Sequence, residues 1–537
     1  MFVSRSTPMT HQLEAVKRAL RKPMAFAHMA ETGTGKSAMV LYEWQQRVNK
    51  NELTDLLVIA PNGCIRNWYE SKSDDQQSEL ETHLDPMLLK KLLIANNRKT
   101  AADRNRRAAL IESNGKVPRA LFVNIEALSR GKDTETELLC RQFLSAGKGM
   151  MVIDESTTIR HGRSSRTKAI MRLAKFARSR RILTGLIVPR SPLDLFYQMY
   201  FLDPRILNFN SFVAFRARYA KMRLMNAPPE PIVDMRLRQM CTRKRIRMPD
   251  TKDWTIQQRA DFIINNGGYI EGVPLIDHYQ NLNELRTMYE PYCYRVMKKD
   301  CLDLKPKVYE PRDLTLTPEQ TKIYKDIRHQ AMAELKSGKY VSAINVLSQM
   351  VRLHQIVCGH VKTEDGEIED IPSRRIDAIL DILEEHDGKA IIWVTYDREL
   401  RKTAHAIRAA KNGDSSLMYG PQAVACFWGG NVKTRAEDEK RFLGDPNCRF
   451  MLSTPQTGGK GNTWNVADLV IFAANSYDLE HRYQAEDRNH RVGQTKTVTY
   501  IDLITRGTVE EKIVKALRKK LDLARIITGA NYEDWLI

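Results

Sequence analysis

The sequence predicts an α/β protein with two doubly wound parallel sheets, on three observations. A glycine-rich loop stands between a strand-like run and a helix-compatible run at residues 29–44. Short apolar runs alternate with helical patterns through the first part of the chain, and the alternation resumes after residue 372. At 537 residues the chain is also too long for one compact core. Three segments are expected: a first sheet lobe over 1–205, a helical protrusion and linker region over 206–372, and a second sheet lobe with a closing helix over 373–537.

The first lobe opens with MAETGTGKSAMVLYEW, from Met29 to Trp44. Glycines at 33 and 35 let backbone N–H groups wrap phosphate oxygens, and the following helix start adds partial positive charge. Lys36 would reach the β- and γ-phosphates, and the Ser37 hydroxyl would bind Mg²⁺. Ala30 replaces the leading glycine of the strict pattern and is small enough to fit. A glycine turn capping a helix would look similar in isolation. LLVIAPNGCIRNWYE (56–70) and RALFVNIEALSR (119–130) each pass from a strand run into a loop. In GMMVIDEST (149–157), Met150–Ile153 suits a buried parallel strand, with Asp154 and Glu155 at its C-terminal end. One carboxylate can hold the Mg²⁺ and its water shell, and its neighbour can orient or deprotonate an attacking water. These roles fall to Asp154 and Glu155 respectively.

In PSRRIDAILDILEEHDGKAIIWVT (372–395), Ile376, Ile379, Leu380 and Leu383 share one helical face. Gly388 ends that helix, and Ala390–Thr395 is the first strand of the second sheet. Residues 448–473 add a strand, a glycine-rich loop, a short helix and another strand. QAEDRNHRVGQ (484–494) follows; on a helix, Gln484, Arg488 and Arg491 would share one face. Two guanidiniums and an amide suit the γ-phosphate of a nucleotide. The rival is a solvated face paired with Glu486 and Asp487. Near the chain end, Thr508 and Glu511 have capping-box spacing, with Ile513, Leu517 and Leu521 on one face beyond them.

Lys and Arg number 85 against 65 Asp and Glu, a formal charge of +20. That surplus favours a polyanionic partner, nucleic acid or an anionic surface, though it would also serve solubility. No apolar run reaches membrane-helix length, and MFVSRSTPMTHQ has no signal-peptide core. Eight scattered cysteines without a C-x-x-C pair suggest reduced thiols in a cytoplasmic protein. CGH at 358–360 offers two metal donors, too few for a structural zinc site.

Together these stretches resemble the Swi/Snf-type branch of the superfamily-2 helicases and translocases. Gln12 in MTHQLEAV matches the family's adenine-contacting glutamine. AETGTGKS matches motif I, VIAPNGCIRNW motif Ia, VIDEST motif II and RILTG the start of motif III. AIIWVTYDREL, STPQTGGKGNTWNVADLVI and QAEDRNHRVGQTKTV match motifs IV, V and VI. The resemblance implies two RecA-like lobes joined by a helical linker, with ATP and Mg²⁺ in the cleft. It assigns nucleotide contacts to Gln12, Thr32, Gly33, Thr34, Gly35, Lys36, Ser37 and Gln484, with Ser37 and Asp154 on the metal. Lys36, Asp154, Glu155, Arg488 and Arg491 become the catalytic set. Arg66, Thr454, Gln456 and Lys460 become sequence-tolerant contacts to a DNA backbone. RHGRSSRTKAIMRLAKFARSRR (160–181) is the densest basic stretch, either a groove lining or a solvated helix face.

Three positions depart from the family pattern. Motif II ends in Thr157 where histidine is common, motif III continues Leu186-Ile187 where Thr-Pro is usual, and Thr463 takes an asparagine position in motif V. The implied function is an ATP-dependent translocase on double-stranded or branched DNA, of the compact bacterial or phage type. The alternatives are an ATP-gated DNA clamp, which the altered motif III would favour, and a strand-separating helicase.

Overall fold

A computed structural model describes residues 3–71, 77–145, 148–225, 230–270, 273–336, 343–363, 366–459 and 461–528, and element counts refer to these. Lys460 lies outside them, as do residues 226–229 and 271–272 of NAPPEPI (226–232) and NNGGYIEG (265–272), two stretches whose composition suggests loops. The chain forms two compact units. One runs to Met297 and takes in the end of the last helix from Leu523; the other runs from Lys298 to Asp522. The division falls inside the segment expected to be a separate middle region.

The first unit contains β1 (Ala25–Ala30), β2 (Asp55–Ala60), β3 (Leu93–Asn96), β4 (Arg119–Asn124), β5 (Gly149–Asp154) and β6 (Ser179–Thr184). These are followed by β7 (Ala220–Met225), β8 (Val273–Tyr279) and β9 (Cys293–Val296). Seven of them make one sheet in the order β3-β4-β2-β5-β6-β1-β9, with every neighbouring pair parallel. β1, β2 and β5 are buried along their whole length, so they appear in sequence as largely apolar runs, with His28 the one polar residue inside β1. Leu56, Val58, Phe122 and Val152 pack on one face against Val40, Leu41 and Trp44 of the helix Lys36–Asn49.

β7 and β8 pair antiparallel beside the helices Glu230–Lys244 and Ile256–Asn265. That subdomain has its own apolar centre around Val233, Leu237 and Ile263. Residues 230–232 of NAPPEPI begin the first of these helices instead of continuing a loop, and Glu230 is favourable in its first turn.

The second unit holds β10 (Lys307–Leu314), β11 (His360–Lys362), β12 (Ile368–Asp370), β13 (Ala390–Trp393), β14 (Val424–Phe427), β15 (Phe450–Ser453), β16 (Leu469–Phe472) and β17 (Val498–Thr505). Six form a parallel sheet in the order β10-β17-β16-β13-β15-β14. Ile392, Leu452 and Ile471 face one apolar cluster while Ile391, Met451 and Val470 face another, so both sides are covered. The short helix of motif V, Pro455–Gly458, precedes the glycine loop instead of following it. At the closing helix, Thr508 Oγ1 accepts from the Glu510 N–H at 3.2 Å, whereas Glu511 lies 3.6 Å from Arg506.

One buried ion cluster fixes the helix after the glycine loop. Glu43, fully buried, accepts from Arg47 Nε at 2.7 Å and from Arg181 Nε on β6 at 2.8 Å. Burial alone would raise the Glu43 carboxyl; Arg181 foremost among its neighbours reverses this and holds it well below the usual carboxylate range. Arg181 is thus spent inside the unit, as is Arg172, which donates to Glu137 at 2.6 Å. Arg181 is fully buried, while the Arg172 side chain stays 34% exposed.

Replacing Glu43 by Gln leaves two buried guanidiniums short of charge and should cost about 3–5 kcal/mol in chemical denaturation of the first unit. The wild-type contribution should be full above about pH 4.3, the free carboxyl value, and fall away as pH drops toward the lower folded value. Glu43→Gln should flatten that acid limb.

Candidate functional site

β1 delivers the chain to Ala30, and the helix Lys36–Asn49 begins six residues later. Between them Thr34 closes a turn, its N–H and hydroxyl both donating to the Glu31 carbonyl at 3.2 and 2.8 Å. Gly33 (φ 91°) and Gly35 (φ 83°) take left-handed backbone that side chains resist. A Cβ on Gly35 would stand 2.2 Å from Gln12 Nε2. The first amides of the helix have no intrahelical acceptors, which makes this turn a receptor for anionic oxygen.

Lys36 is buried, and its ammonium donates to the Ala30 carbonyl at 2.9 Å. That cation lies across the mouth of its own loop, where an incoming phosphate would take it over. Gln12 is also buried: its Nε2 donates to the Thr34 carbonyl at 3.3 Å and its Oε1 accepts from the Met9 N–H at 2.9 Å. His11 Nε2 donates to the same Thr34 carbonyl at 2.8 Å. The glutamine assigned to the base therefore braces the phosphate loop. Ser37 and Thr32 are partly exposed at the loop.

Asp154 ends β5 and is 8% exposed. Its Oδ2 accepts from Trp68 Nε1 at 3.1 Å and its Oδ1 from the Glu155 N–H at 3.0 Å. Burial pushes this carboxyl up, and the Lys36 charge opposes that rise. Glu155 has φ 50° and ψ 61°, a left-handed conformation that costs a non-glycine residue about 1–2 kcal/mol. Strain of this kind persists where the surroundings fix it, and here it sits on the residue expected to handle water.

Motif III joins this group through a residue that sequence reading missed. Gln198, fully buried on the helix Leu195–Leu202, accepts from the Ser156 hydroxyl at 2.7 Å and donates to the Ile187 carbonyl at 2.7 Å. Leu186 and Ile187 are packed side chains, 4% and 2% exposed. Just before them, a Cβ on Gly185 would lie 3.6 Å from the Ala30 carbonyl and 3.7 Å from the Thr32 nitrogen, so that strand end abuts the phosphate loop. Thr157 is buried. The signal for Gln198 was a lone amide in the apolar run LFYQMYFL; Trp68 lay inside the motif Ia stretch.

In the second unit the helix Leu479–Glu486 stops before Arg488. The shared helical face expected for Gln484, Arg488 and Arg491 is therefore not formed. The arginines converge by another route. Arg488 Nη1 and Arg491 Nη1 both donate to the Asn462 carbonyl, at 2.8 and 3.0 Å, and Arg488 Nε donates to the Gln484 carbonyl at 2.9 Å. Arg491 also donates to the Thr463 hydroxyl at 2.7 Å, which gives the motif V departure a partner.

The rival pairing with Glu486 and Asp487 does not occur as a solvated face. Glu486 is buried with Arg482 at 2.7 Å and Lys307 at 3.2 Å, and Asp487 is buried with Lys298 at 2.5 Å. Burial would raise both acids, and Lys307 and Lys298 respectively lead the cations that bring them below the ordinary range. Of the expected DNA contacts, Arg66 and Gln456 are exposed, Thr454 is buried at the start of the short motif V helix, and Lys460 lies outside the described residues.

A phosphate-binding loop, a strand-end carboxylate pair, and a second parallel sheet carrying gathered arginines define a helicase-like ATPase with tandem sheet lobes. The chain belongs to the SNF2-related family, whose domain model matches residues 26–362. It is 23% identical over 435 residues to human TATA-binding protein-associated factor 172, covering 70% of this chain and 20% of that protein. It is 25% identical over 260 residues to an uncharacterized ATP-dependent helicase of Mycoplasma genitalium, covering 47% of this chain and 24% of the relative. The chain thus spans about a fifth to a quarter of the length of these curated relatives. Among solved structures, the Sulfolobus solfataricus SWI2/SNF2 ATPase core in complex with dsDNA matches at 21% identity and a TM-score of 0.38, over 98% of this chain and 94% of that one.

Gly35→Ala should break the loop by both φ and contact. Nucleotide affinity, read with a fluorescent ATP analogue, should fall by at least about tenfold, a loss of about 1.4 kcal/mol. The circular-dichroism spectrum should stay that of the wild type.

Proposed function

We propose that this chain is a DNA-stimulated ATPase that moves along double-stranded DNA and remodels protein–DNA contacts or branched DNA. The observation that carries this reading is the Ser156–Gln198–Ile187 link, which ties motif III to the end of the carboxylate strand through a main-chain carbonyl. A main-chain link is indifferent to the side chain at 187. The Leu186–Ile187 departure therefore leaves the coupling element in place, and a motor is favoured over a clamp. The +20 charge supports a polyanionic track, bound through phosphates without sequence preference and with steep salt dependence.

Each residue has a role in this reading. Lys36 exchanges the Ala30 carbonyl for phosphate oxygens, and loop amides from Thr32 to Ser37 hold the same group. Asp154 and the Ser37 hydroxyl would hold Mg²⁺, which when bound would neutralise phosphate charge. The buried, tryptophan-braced Asp154 fits such an ion, because burial leaves a carboxylate wanting a cation. Glu155 orients the attacking water and takes its proton. Arg488 and Arg491 supply guanidinium charge to the transferring phosphoryl group. Arg66, Gln456, Thr454 and Lys460 follow the DNA backbone. A cytoplasmic setting suits cysteines that form no disulfide.

Steady-state ATP hydrolysis should be strongly stimulated by duplex or branched DNA and abolished by Lys36→Ala. The protein should also strip a third strand from a triplex in an ATP-dependent way, since that requires directed motion. DNA binding with flat hydrolysis and an intact triplex would establish the clamp instead. Processive opening of a plain forked duplex would establish a strand-separating helicase.

Gln198→Ala should keep nucleotide and DNA binding yet lower DNA-stimulated turnover about tenfold, equivalent to about 1.4 kcal/mol of barrier. Unchanged turnover would remove the link from the coupling path.

A further inference from the structure

We propose that His354, Cys358 and Glu510 form a zinc site in the second unit, independent of the nucleotide machinery. His354 lies one helical turn before Cys358 at the end of the helix Ala343–Val357, and Glu510 comes from the first turn of the closing helix Val509–Thr528. All three are buried, and one donor atom from each lies within 4.8 Å of the others. His354 Nε2 stands 3.6 Å from Glu510 Oε1 and 3.9 Å from Cys358 Sγ. Donors around a tetrahedral zinc, at bond lengths of 2.0–2.3 Å, sit roughly 3.3–3.8 Å apart. Imidazole, thiolate and carboxylate are donors this ion accepts together.

The surroundings have the order that metal ligands require. His354 Nδ1 is hydrogen-bonded to the Tyr396 hydroxyl at 2.9 Å, which leaves Nε2 for the ion. Glu510 is aimed by Arg375 Nη2, 2.9 Å from each oxygen, and by the Thr505 N–H at 2.8 Å. A cavity of about 310 Å³, lined by Cys358, Arg375, Glu399 and Lys402, reaches the Cys358 side of the site and would serve as its entry path.

Glu399, buried with one oxygen, Oε1, lacking a hydrogen-bond partner, lines the same cavity as Cys358, together with Arg375 and Lys402. Arg375 competes for Glu510 but occupies it through a single nitrogen, and the Oε1 edge facing His354 remains for coordination.

The full chain, purified without chelator, should carry one zinc per molecule by elemental mass spectrometry. Cys358→Ser and His354→Gln should lose it, and Cys140→Ser, a buried cysteine of the first unit, should keep it. Because the variants could misfold, chelator-stripped wild type should also be titrated with Co²⁺. The expected result is a thiolate-to-cobalt charge-transfer band saturating at one equivalent, with a melting temperature raised by Zn²⁺ but not by Mg²⁺. A stripped protein that gives no such band and no shift overturns the site, as does a Cys358→Ser protein with undiminished zinc.

Discussion

The placement of Glu43 between Arg47 and Arg181 is the constraint on which the nucleotide half of the molecule depends. A glycine loop has few bonds of its own; here they are the Thr34 turn and the braces from His11 and Gln12. Its shape is therefore set by where its two ends are held. β1 fixes one end by pairing with β6, Phe26 opposite Arg181. The ion cluster fixes the other, because Arg181 reaches from β6 to Glu43 two turns into the helix. The same strand then presents Gly185 against the loop. A slip in β6 would loosen the clamp and move that contact together, so the cluster's desolvation cost is offset by register.

The second unit solves a related problem with the same chemistry. Arg482 lies 3.4 Å over the Phe472 ring and bonds Glu486 and Asp502, which joins the motif VI helix to β16 and β17. Lys298 and Lys307 hold Asp487 and Glu486 from the segment entering this unit. Arg488 and Arg491 share a carbonyl acceptor, a dipole with no net charge, which orients both guanidiniums.

The fold class and the backbone of the glycine loop were legible because each rests on local chemistry: buried parallel strands give largely apolar runs, and the loop takes glycine at two left-handed positions. The arginine pair was legible as residues but not as geometry. Helical periodicity placed Arg488 and Arg491 on one face, whereas the helix ends at Glu486 and a distant carbonyl, Asn462, does the gathering. Gln198, Trp68 and Glu43 act through partners 42, 86 and 138 residues away, and no spacing rule reports a hydrogen bond of that reach. The same holds for Glu510, which spacing near CGH could not have supplied. The division of the chain after Met297 lies inside the stretch 206–372, where the chain changes sheet between β9 and β10, a switch that no local spacing marks.

The altered motif III shows how a departure from pattern can leave a mechanism whole. Thr and Pro at this place would offer a hydroxyl and a fixed φ. Leu186 and Ile187 offer neither, but both are nearly fully buried, so packing now holds the backbone that proline would otherwise restrict. What reaches across to the carboxylate strand is the Ile187 carbonyl, through Gln198 and Ser156. Ser156 directly follows the strained Glu155, so in the function proposed above a shift of Glu155 and a shift of motif III would be mechanically linked. In that reading coupling would depend on backbone position, which apolar side chains leave in place.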